Sequence, residues 1–244
     1  MRDTARMNEQ YDTPNYKGHR FPPEIIAHAV WLYFRFALSY REVEELLAER
    51  GVCVTDETIR RWCQKFGQRY ANERRRRRPR PGDKWHLDAV FITINGQVRY
   101  RWRAVDQDGT ILDILVQSRR NKRAAQQFFR RLLKRCQYVP RVLITDTLAS
   151  DDAARRASLP SVEHRRHKGL NNRAENAHQP TRERERRMRR FSSPGHAQRF
   201  LAAHGPIAGH FRLRRHRLSA AVYRQQRGHA FATWRAVPGV AAAA

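Results

Sequence analysis

Acidic residues, cysteines and long apolar runs are all scarce in this sequence. Asp and Glu number 23 against 50 Lys and Arg, which gives a formal net charge of +27. This surplus favours a polyanionic partner, and nucleic acid is the first candidate because neutralised backbone phosphates release counterions. A membrane is the lesser alternative, since the sequence contains no run of about 20 apolar residues that could span a bilayer.

The three cysteines and the N-terminal residues bear on the cellular compartment of the protein. Cys53, Cys63 and Cys136 form no C-x-x-C pair, so we predict neither a zinc cluster nor a disulfide framework and interpret them as small core residues. The polar start MRDTARMNEQYD has no signal-peptide core. Both observations favour a cytoplasmic protein. His164 and His167 have no cysteine or acid at ligand spacing, so we predict no metal site there.

Helical spacing dominates residues 21–72, after a first stretch, 1–20, that we predict to be disordered. One helix ends near Phe36, Ser39 and Glu42 form the capping box of a second, and Thr55 or Asp56 can cap a third. This order predicts a helix-turn-helix domain whose third helix enters the major groove of DNA. The alternative is a three-helix packing unit with a solvated basic side. The candidate DNA contacts on the third helix are Arg60, Arg61, Gln64 and Lys65.

A run of arginines separates this domain from a region with the period of strands. We predict that residues 73–83 form a basic linker along DNA phosphates. From Trp85 to Ile94 an apolar strand contains Asp88, a carboxylate that is costly to bury unless a partner such as a metal ion pairs with it. Asn95-Gly96 is a strong hairpin signal. It leads to a second strand, 97–105, with one apolar face and one face that we expect to be basic and solvated.

Further elements complete a recognisable order. Residues 110–117 form a third antiparallel strand, and a helix over 121–138 leads to a strand that ends in Asp146. A crossover helix of this length returns the next strand parallel to an earlier one. A fifth strand near Val162 and a helix from Leu170 to Arg190 follow. We therefore predict an α/β fold over residues 84–192, an RNase H-like mixed sheet of three antiparallel strands plus parallel strands with flanking helices. An all-α helix-turn-helix domain precedes it, and a C-terminal helical extension and tail, 193–244, follow it.

Three acids would meet in such a fold. Asp88 and Asp146 would be neighbours on adjacent strands, and the late helix would bring Glu175 over them. Three carboxylates on a rigid sheet can hold two Mg²⁺ ions for cleavage and joining of DNA phosphodiesters. By itself the late helix is more typical of a solvated basic helix. Other acids compete for the role, namely Asp83, Asp106, Asp108, Asp113, Asp151, Asp152 and Glu163.

Several long motifs resemble one protein family. The resemblance lies in the motifs LSYREVEELLAERGV, WHLDAVFITINGQ, YRWRAVDQDGTILDILVQSRRN and VEHRRHKGLNNRAENAHQPTRERERRMRRF. The sequence resembles bacterial insertion-sequence transposases of the DDE type, specifically the insertion sequence six family. The resemblance implies that Asp88, Asp146 and Glu175 are catalytic residues that bind Mg²⁺, with Mn²⁺ as a substitute, and that Arg182 contacts DNA. It also implies cleavage at element ends and strand transfer into target DNA. The protein would be a homo-oligomer on double-stranded DNA with terminal inverted repeats, in the bacterial cytoplasm at the nucleoid.

Two departures from the family pattern bear on activity. After Asp146 the family usually has a lysine and then a short basic run, whereas this chain has Thr147 to Ser150 followed by two aspartates. A glutamate is common after the first aspartate, and Ala89 stands here. The loss of basic character would weaken DNA placement at the site. The alternatives are a catalytically decayed copy that only binds DNA, and another RNase H-fold nuclease or integrase that acts on a different substrate.

Overall fold

Helices occupy both ends of the chain, and strands occupy its middle. The computed structural model describes residues 14–78, 80–145, 156, 158–166, 172–188, 190–213, 215 and 218–239, including all their side chains except those of 172–177 and 180. The helices are α1 (Pro23–Arg35), α2 (Tyr40–Ala48), α3 (Asp56–Arg76), α4 (Lys122–Cys136), α5 (Asn172–Arg187), α6 (Pro194–His210) and α7 (Ala220–Arg235). The strands are β1 (Lys84–Ile94), β2 (Gln97–Asp106), β3 (Ile111–Gln117), β4 (Val142–Thr145) and β5 (Glu163–Arg166).

The second and third helices begin where the sequence supplies caps. Ser39 Oγ accepts a hydrogen bond from the Glu42 N–H (3.2 Å), and Glu42 Oε2 accepts one from the Ser39 N–H (2.5 Å), which confirms the capping box. Thr55 Oγ1 accepts from the Thr58 N–H at 3.4 Å and caps α3. The apolar side of α3 is buried, as its spacing predicts.

The structure corrects two limits of this N-terminal region. Tyr16 stacks on Phe66 with ring centroids 5.0 Å apart, and its hydroxyl lies 2.8 Å from that of Tyr70. Tyr16 is thus packed on α3, although we predicted disorder through residue 20. Residues 1–13 lie outside the described residues. Helix α3 continues to Arg76, so the first residues of the predicted linker are helical. The division of the chain into domains at these positions stays a prediction.

The strand order is that of the predicted fold. Five strands form one sheet in the order β3-β2-β1-β4-β5. The pairs β1–β2 and β2–β3 are antiparallel, whereas β4 runs parallel to β1, and β5 parallel to β4. Asn95 and Gly96 have φ angles of 50° and 75°, the left-handed values that a tight two-residue hairpin turn requires. The sheet with its flanking helices confirms the RNase H-like prediction.

The two faces of the sheet pack against different helices. Trp85, Leu87 and Ala89 share a core with residues of α4, as the alternation along β1 predicts. Ile92 and Ile94 lie on the opposite face. They share a second core with buried residues of α1, α3 and α6. Because helices from both ends of the chain cover this face, the predicted DNA-binding and catalytic regions have a hydrophobic core in common.

Two predictions about single residues are wrong. Arg101 and Arg103 of β2 are each 0% exposed, contrary to the solvated basic face that we expected. Alternating arginines are typical of a strand face in water, and the cover that α5 provides here is visible only in the folded chain. Cys63 is buried and Cys136 half-buried, but Cys53 is exposed and is not a core residue.

Candidate active site where α5 meets β1

Asp88 lies in the middle of β1, on the face that α5 covers. Its side chain is only 9% exposed. Oδ1 accepts a hydrogen bond from the Ala89 N–H at 2.8 Å. Oδ2 lies 3.1 Å from Nε2 of His178 on α5. This contact joins the strand and the helix that carry two of the three predicted acids.

His178 stands between Asp88 and a buried arginine. Nη2 of Arg101 lies 2.8 Å from Nδ1 of His178. Because a guanidinium only donates, Nδ1 accepts, and the hydrogen of a neutral ring sits on Nε2, facing Asp88. The pKa of His178 falls to about 3, chiefly through burial and also through the charges of Arg103 and Arg101, although Asp88 acts in the opposite direction. The ring is therefore a neutral donor to Asp88 at neutral pH.

Asp88 is ionised at neutral pH in spite of its burial. Burial is the largest influence and by itself would raise the pKa of Asp88. The contacts with His178 and with the Ala89 N–H, together with the charge of Arg120, outweigh it, so that the pKa lies below its usual value. An ionised carboxylate is a hard oxygen ligand of the kind that Mg²⁺ prefers.

Helix α5 rests on the rest of the molecule through a buried polar stripe. Arg103 lies directly opposite Asp88 in the strand pairing, and its Nη2 donates to Thr181 Oγ1 at 2.7 Å. One turn on, Arg184 Nη1 donates to the Leu38 carbonyl oxygen at 2.5 Å. The Arg184 guanidinium also lies 4.4 Å from the centre of a tyrosine ring on α1. These bonds fix α5 against both the sheet and the N-terminal helices.

The other two predicted acids belong to α5 and to the end of β4. Glu175 is part of α5, three residues before His178, and its side chain is outside the described ones. Asp146 follows Thr145, the last residue of β4, and lies outside the described residues, as do the Thr147 to Asp152 positions that depart from the family pattern. Strand β4 is paired with β1 in parallel register, with His86 opposite Ile144.

Arg182 is exposed, as a residue that contacts DNA must be. It borders a cavity of about 220 Å³ together with Arg101, Glu185 and Arg190. Burial raises the pKa of Glu185, although these three arginines act in the opposite direction. The predicted phosphate contact thus lies in an arginine-rich hollow next to the buried Arg101.

Several of the rival acids make contacts within the fold. Asp113 is buried and binds Arg131 at 2.8 Å and Arg135 at 2.6 Å. Asp106 accepts from the backbone N–H groups that follow it in its turn. Asp83 accepts from Tyr138, and Glu163 binds Arg165 at 2.7 Å. Asp108 borders a cavity behind α3, and Asp151 and Asp152 lie outside the described residues.

One side chain of the predicted metal site, that of Asp88, is among the described ones. Among the side chains that the structure describes, no three of the types His, Cys, Asp and Glu come together as a metal site. Asp88 nevertheless fits such a role, because its carboxylate is ionised and is held in place from two sides. His164 Nε2 lies 2.9 Å from Thr145 Oγ1, at the end of β4. His167 lies outside the described residues.

The candidate DNA contacts of α3 all lie on the surface. Arg60, Arg61, Gln64 and Lys65 are exposed. Arg60 donates two hydrogen bonds of 2.7 Å to Glu57, and Arg61 donates one of 3.1 Å to the same carboxylate. The role of these four residues in DNA binding stays a prediction.

Neither His178 nor Arg101 was predicted as a partner of Asp88. The only sequence signals are the three-residue spacing from Glu175 to His178 and the position of Arg101 on the same face of β2 that Asp88 has on β1. Both signals predict the contacts of His178 only if α5 is known to cover that face of the sheet.

A family model described as a DDE domain matches residues 82–214, more than half of the chain. The chain belongs to the DDE family of transposases. This family member is 34% identical over 139 residues to the transposase for insertion sequence-like element IS431mec of Staphylococcus aureus strain Mu50. It has the same identity over 139 residues to the transposase for insertion sequence element IS257 in transposon Tn4003 of Staphylococcus aureus. Each alignment covers 57% of this chain and 62% of the relative. These matches confirm the resemblance to the insertion sequence six family.

One solved structure of low similarity is a cryoEM structure of a simian T-cell lymphotropic virus intasome in complex with PP2A regulatory subunit B56 gamma. The alignment covers 57% of this chain and 53% of the viral intasome chain, with 13% sequence identity and a TM-score of 0.34. The fold assignment therefore rests on the strand order. Within the described part of the chain, no helix combines the length and the apolar character needed to cross a bilayer.

Proposed function

We propose that this DDE family member cleaves DNA strands at the ends of an insertion sequence and joins them to target DNA. Asp88, Asp146 and Glu175 are the proposed catalytic residues and metal ligands. The observation that carries the proposal is the contact of 3.1 Å between His178 and Asp88. It anchors the helix that contains Glu175 on the strand that contains Asp88, and a metal site built from both acids requires that proximity.

Helix and strand geometry support the positions of the other two acids. Residues three apart lie on the same side of a helix, so position 175 is one turn from the contact that His178 makes with Asp88. In the parallel pairing of β1 with β4, His86 is opposite Ile144. Asp88 is two residues after His86, and Asp146 is two residues after Ile144 in the sequence. The direction of one helix and the register of one strand pair therefore support the proposed triad.

Each side chain of the proposed site has a separate chemical role. Mg²⁺, as two ions, or Mn²⁺ as a substitute, would activate the attacking hydroxyl and stabilise the leaving oxygen of the DNA phosphodiester. Asp88 supplies an oriented, ionised carboxylate. Arg182 is exposed and is proposed to hold a phosphate oxygen, because a guanidinium offers several donors in one plane. Buried Arg101 and Arg103 add positive charge beneath the acids and limit their mutual repulsion.

The N-terminal helices and the assembly complete the proposal. We propose that α3 binds the terminal inverted repeats and that a homo-oligomer forms on the double-stranded DNA, in the bacterial cytoplasm at the nucleoid. The net charge of +27 supports DNA as the partner. The aspartates 151 and 152, which follow Asp146 closely in the sequence, give weight to a second candidate, a decayed copy that binds the repeats without cleaving them.

The test uses a duplex that carries the terminal repeat of the element and a scrambled duplex of equal length. With Mg²⁺ or Mn²⁺, the wild-type chain is expected to nick and join the repeat duplex in preference to the scrambled one. Asp88→Asn is expected to remove the activity and keep DNA binding. Glu163→Gln is the matched control, an exposed carboxylate of the same sheet, and is expected to retain activity.

Other results would change the conclusion. Binding of the repeats without cleavage in either metal would support the decayed copy. Equal cleavage of both duplexes would support another nuclease of the RNase H fold. Wild-type activity in Asp88→Asn would overturn the assignment of the catalytic acid.

A further inference from the structure

A second cationic site lies behind α3, away from Asp88. A cavity of about 260 Å³ opens between the last turns of α3, the turn that follows β2, and α6. Six basic side chains border it: Arg74, Arg75, Arg78, His204, His210 and Arg212. One acidic side chain, that of Asp108, is among the described residues around it. We call this space the arginine cavity.

The arginines of this cavity differ from those of α4 in their contacts with carboxylates. Within the described residues, no ion pair joins Arg74, Arg75 or Arg212 to Asp or Glu. The contrast with the nearby Arg131 and Arg135 is informative, because both bind the buried Asp113. Asp113 and Glu183 act on Arg75 and Arg212 through their charge without a direct ion pair, and the lining of the cavity keeps an excess of positive side chains.

Arg75 has a structural task of its own. Pro206 lies inside α6 and has no N–H, so the carbonyl oxygen of Ala202, four residues earlier, lacks its usual helical donor. Arg75 Nη2 donates to that oxygen at 2.6 Å, and its Nη1 donates to Asn72 Oδ1 at 2.9 Å. Arg75 therefore ties α3 to α6 and still contributes its charge to the cavity.

Arg74 has no comparable task. Its Nε and Nη1 are buried, and no acceptor among the described residues receives them. Leaving buried donors of a charged group unsatisfied is costly. Arg74 also borders the neighbouring cavity, of about 470 Å³, together with His210 and residues of α7. Arg74 therefore lines both cavities, and its Nε and Nη1 donors are buried.

Burial is the largest influence on the charged groups of the cavity. Burial lowers the pKa of Arg75 to about 9, with Arg135 next in effect, and burial lowers that of Arg212 to about 10 with help from Arg35. Burial, and then the charge of Arg74, lower the pKa of His210 to about 4. At neutral pH the guanidiniums are therefore charged and His210 is neutral. The charged guanidiniums that border the cavity attract an anion.

We propose that the arginine cavity binds a phosphate-type oxyanion, with Arg74 and Arg212 as its ligands and Arg75 and Arg78 as supporting charges. A volume of about 260 Å³ exceeds several-fold the ~30 Å³ that a water molecule occupies in the liquid, so a tetrahedral oxyanion fits. Guanidinium groups bind such oxygens through charge-assisted hydrogen bonds. The oxyanion can come from a DNA backbone phosphate or from free phosphate.

The first arm of the test measures orthophosphate binding by calorimetry, without DNA or divalent metal, at constant ionic strength. Wild-type protein is expected to bind, and Arg74→Gln and Arg212→Gln are each expected to weaken binding by about tenfold or more. Arg76→Gln is the matched control, since Arg76 lies on the same helical turn as Arg74 but is exposed and close to Glu73. Melting curves of the variants without phosphate establish that each is folded.

The second arm identifies the source of the oxyanion by measuring duplex DNA affinity at several salt concentrations. If the ligand is a DNA phosphate, Arg74→Gln lowers the slope of log K against log salt by about 1 more than Arg76→Gln does. If the ligand is free phosphate, only the first arm responds to Arg74→Gln. Equal behaviour of Arg74→Gln and Arg76→Gln in both arms would overturn the proposal. Neither arm depends on strand cleavage, so failure of the proposed catalytic chemistry would leave these results unaffected.

Discussion

At the scale of single residues, the position of Asp88 depends on a chain of contacts from β2 through α5 to β1. Arg101 fixes the ring of His178 through Nδ1, and the opposite nitrogen of that ring faces Asp88. Loss of a group that orients a metal ligand in this way typically lowers metal affinity by about tenfold to 100-fold. His178 is accordingly a positioning residue in the proposed site.

Replacement of His178 tests that role. We expect His178→Ala to weaken Mn²⁺ binding by about tenfold to 100-fold, because the Asp88 carboxylate loses the group that orients it. His178→Gln should recover part of the affinity, since an amide can donate to Asp88 and accept from Arg101. The measurement is a Mn²⁺ titration of the folded proteins, with Gln179→Ala as the control at the exposed neighbouring position.

Protein stability separates this role from simple packing. His178→Ala also leaves Arg101 without its acceptor, so a lower melting temperature is expected in either case. A lower melting temperature combined with unchanged Mn²⁺ affinity would show that His178 only supports the fold.

At the scale of elements, α5 packs through polar rather than apolar side chains. His178, Thr181 and Arg184 are each at most 3% exposed, and all three contact groups on other elements. A helix with so many charges was expected to be solvated on most sides. Its buried stripe was not predictable, because the partners of these side chains lie on β1, on β2 and in the segment before α2.

Helix α3 presents its candidate DNA contacts in two chemical classes. Lys65 carries a point charge, whereas Gln64 can form paired hydrogen bonds with a base edge. We expect Lys65→Ala to weaken binding to all sequences alike and to lower the salt slope by about 1. We expect Gln64→Ala to reduce the preference for the terminal repeat over other DNA.

Fluorescence anisotropy on repeat and scrambled duplexes at several salt concentrations measures both effects. Arg50→Ala, a change of an exposed cation beyond the end of α2, is the control. A salt slope that is the same in Lys65→Ala and in wild type would contradict the proposed contact.

At the scale of the whole molecule, the N-terminal helices and the five-stranded sheet share a hydrophobic core. Buried residues of α1 and α3 pack in the same cluster as Ile92, Ile94 and Ile114 of the sheet and Phe200 of α6. Arg75 and Arg78 of the α3 end add hydrogen bonds to carbonyl oxygens of α6 and β3. The division at residues 73–83 that the sequence suggests therefore crosses a continuous interior.

Truncation tests this continuity. A chain of residues 84–244 would expose the apolar face of the sheet and of α6, so we expect it to aggregate or to melt without a cooperative transition. The full-length protein is expected to unfold in one transition. The measurement is differential scanning calorimetry of both chains. A cooperative transition of the shortened chain would show that the two regions are independent domains.

The sequence predicts the elements well where the signal is local. The capping box at Ser39, the turn at Asn95-Gly96 and the alternation along β1 are local signals, and the structure contains each of them. Arg101 and its partner His178 are 77 residues apart, and His178 and Asp88 are 90 residues apart. No local sequence pattern indicates contacts between residues so far apart. Asp88 itself was predictable because a carboxylate in an apolar strand is unusual.

The central claim is that three acids from β1, from the residue after β4 and from α5 act as one metal site. The most direct measurement is the rate of strand cleavage at the terminal repeat by Asp88→Asn, Asp146→Asn and Glu175→Gln, with DNA binding measured in parallel. Each variant is expected to lose about 100-fold or more in rate, because a bound metal stabilises the transition state by several kcal/mol, while each still binds the repeat. Cleavage at the wild-type rate by any one of the three would contradict the proposed metal site.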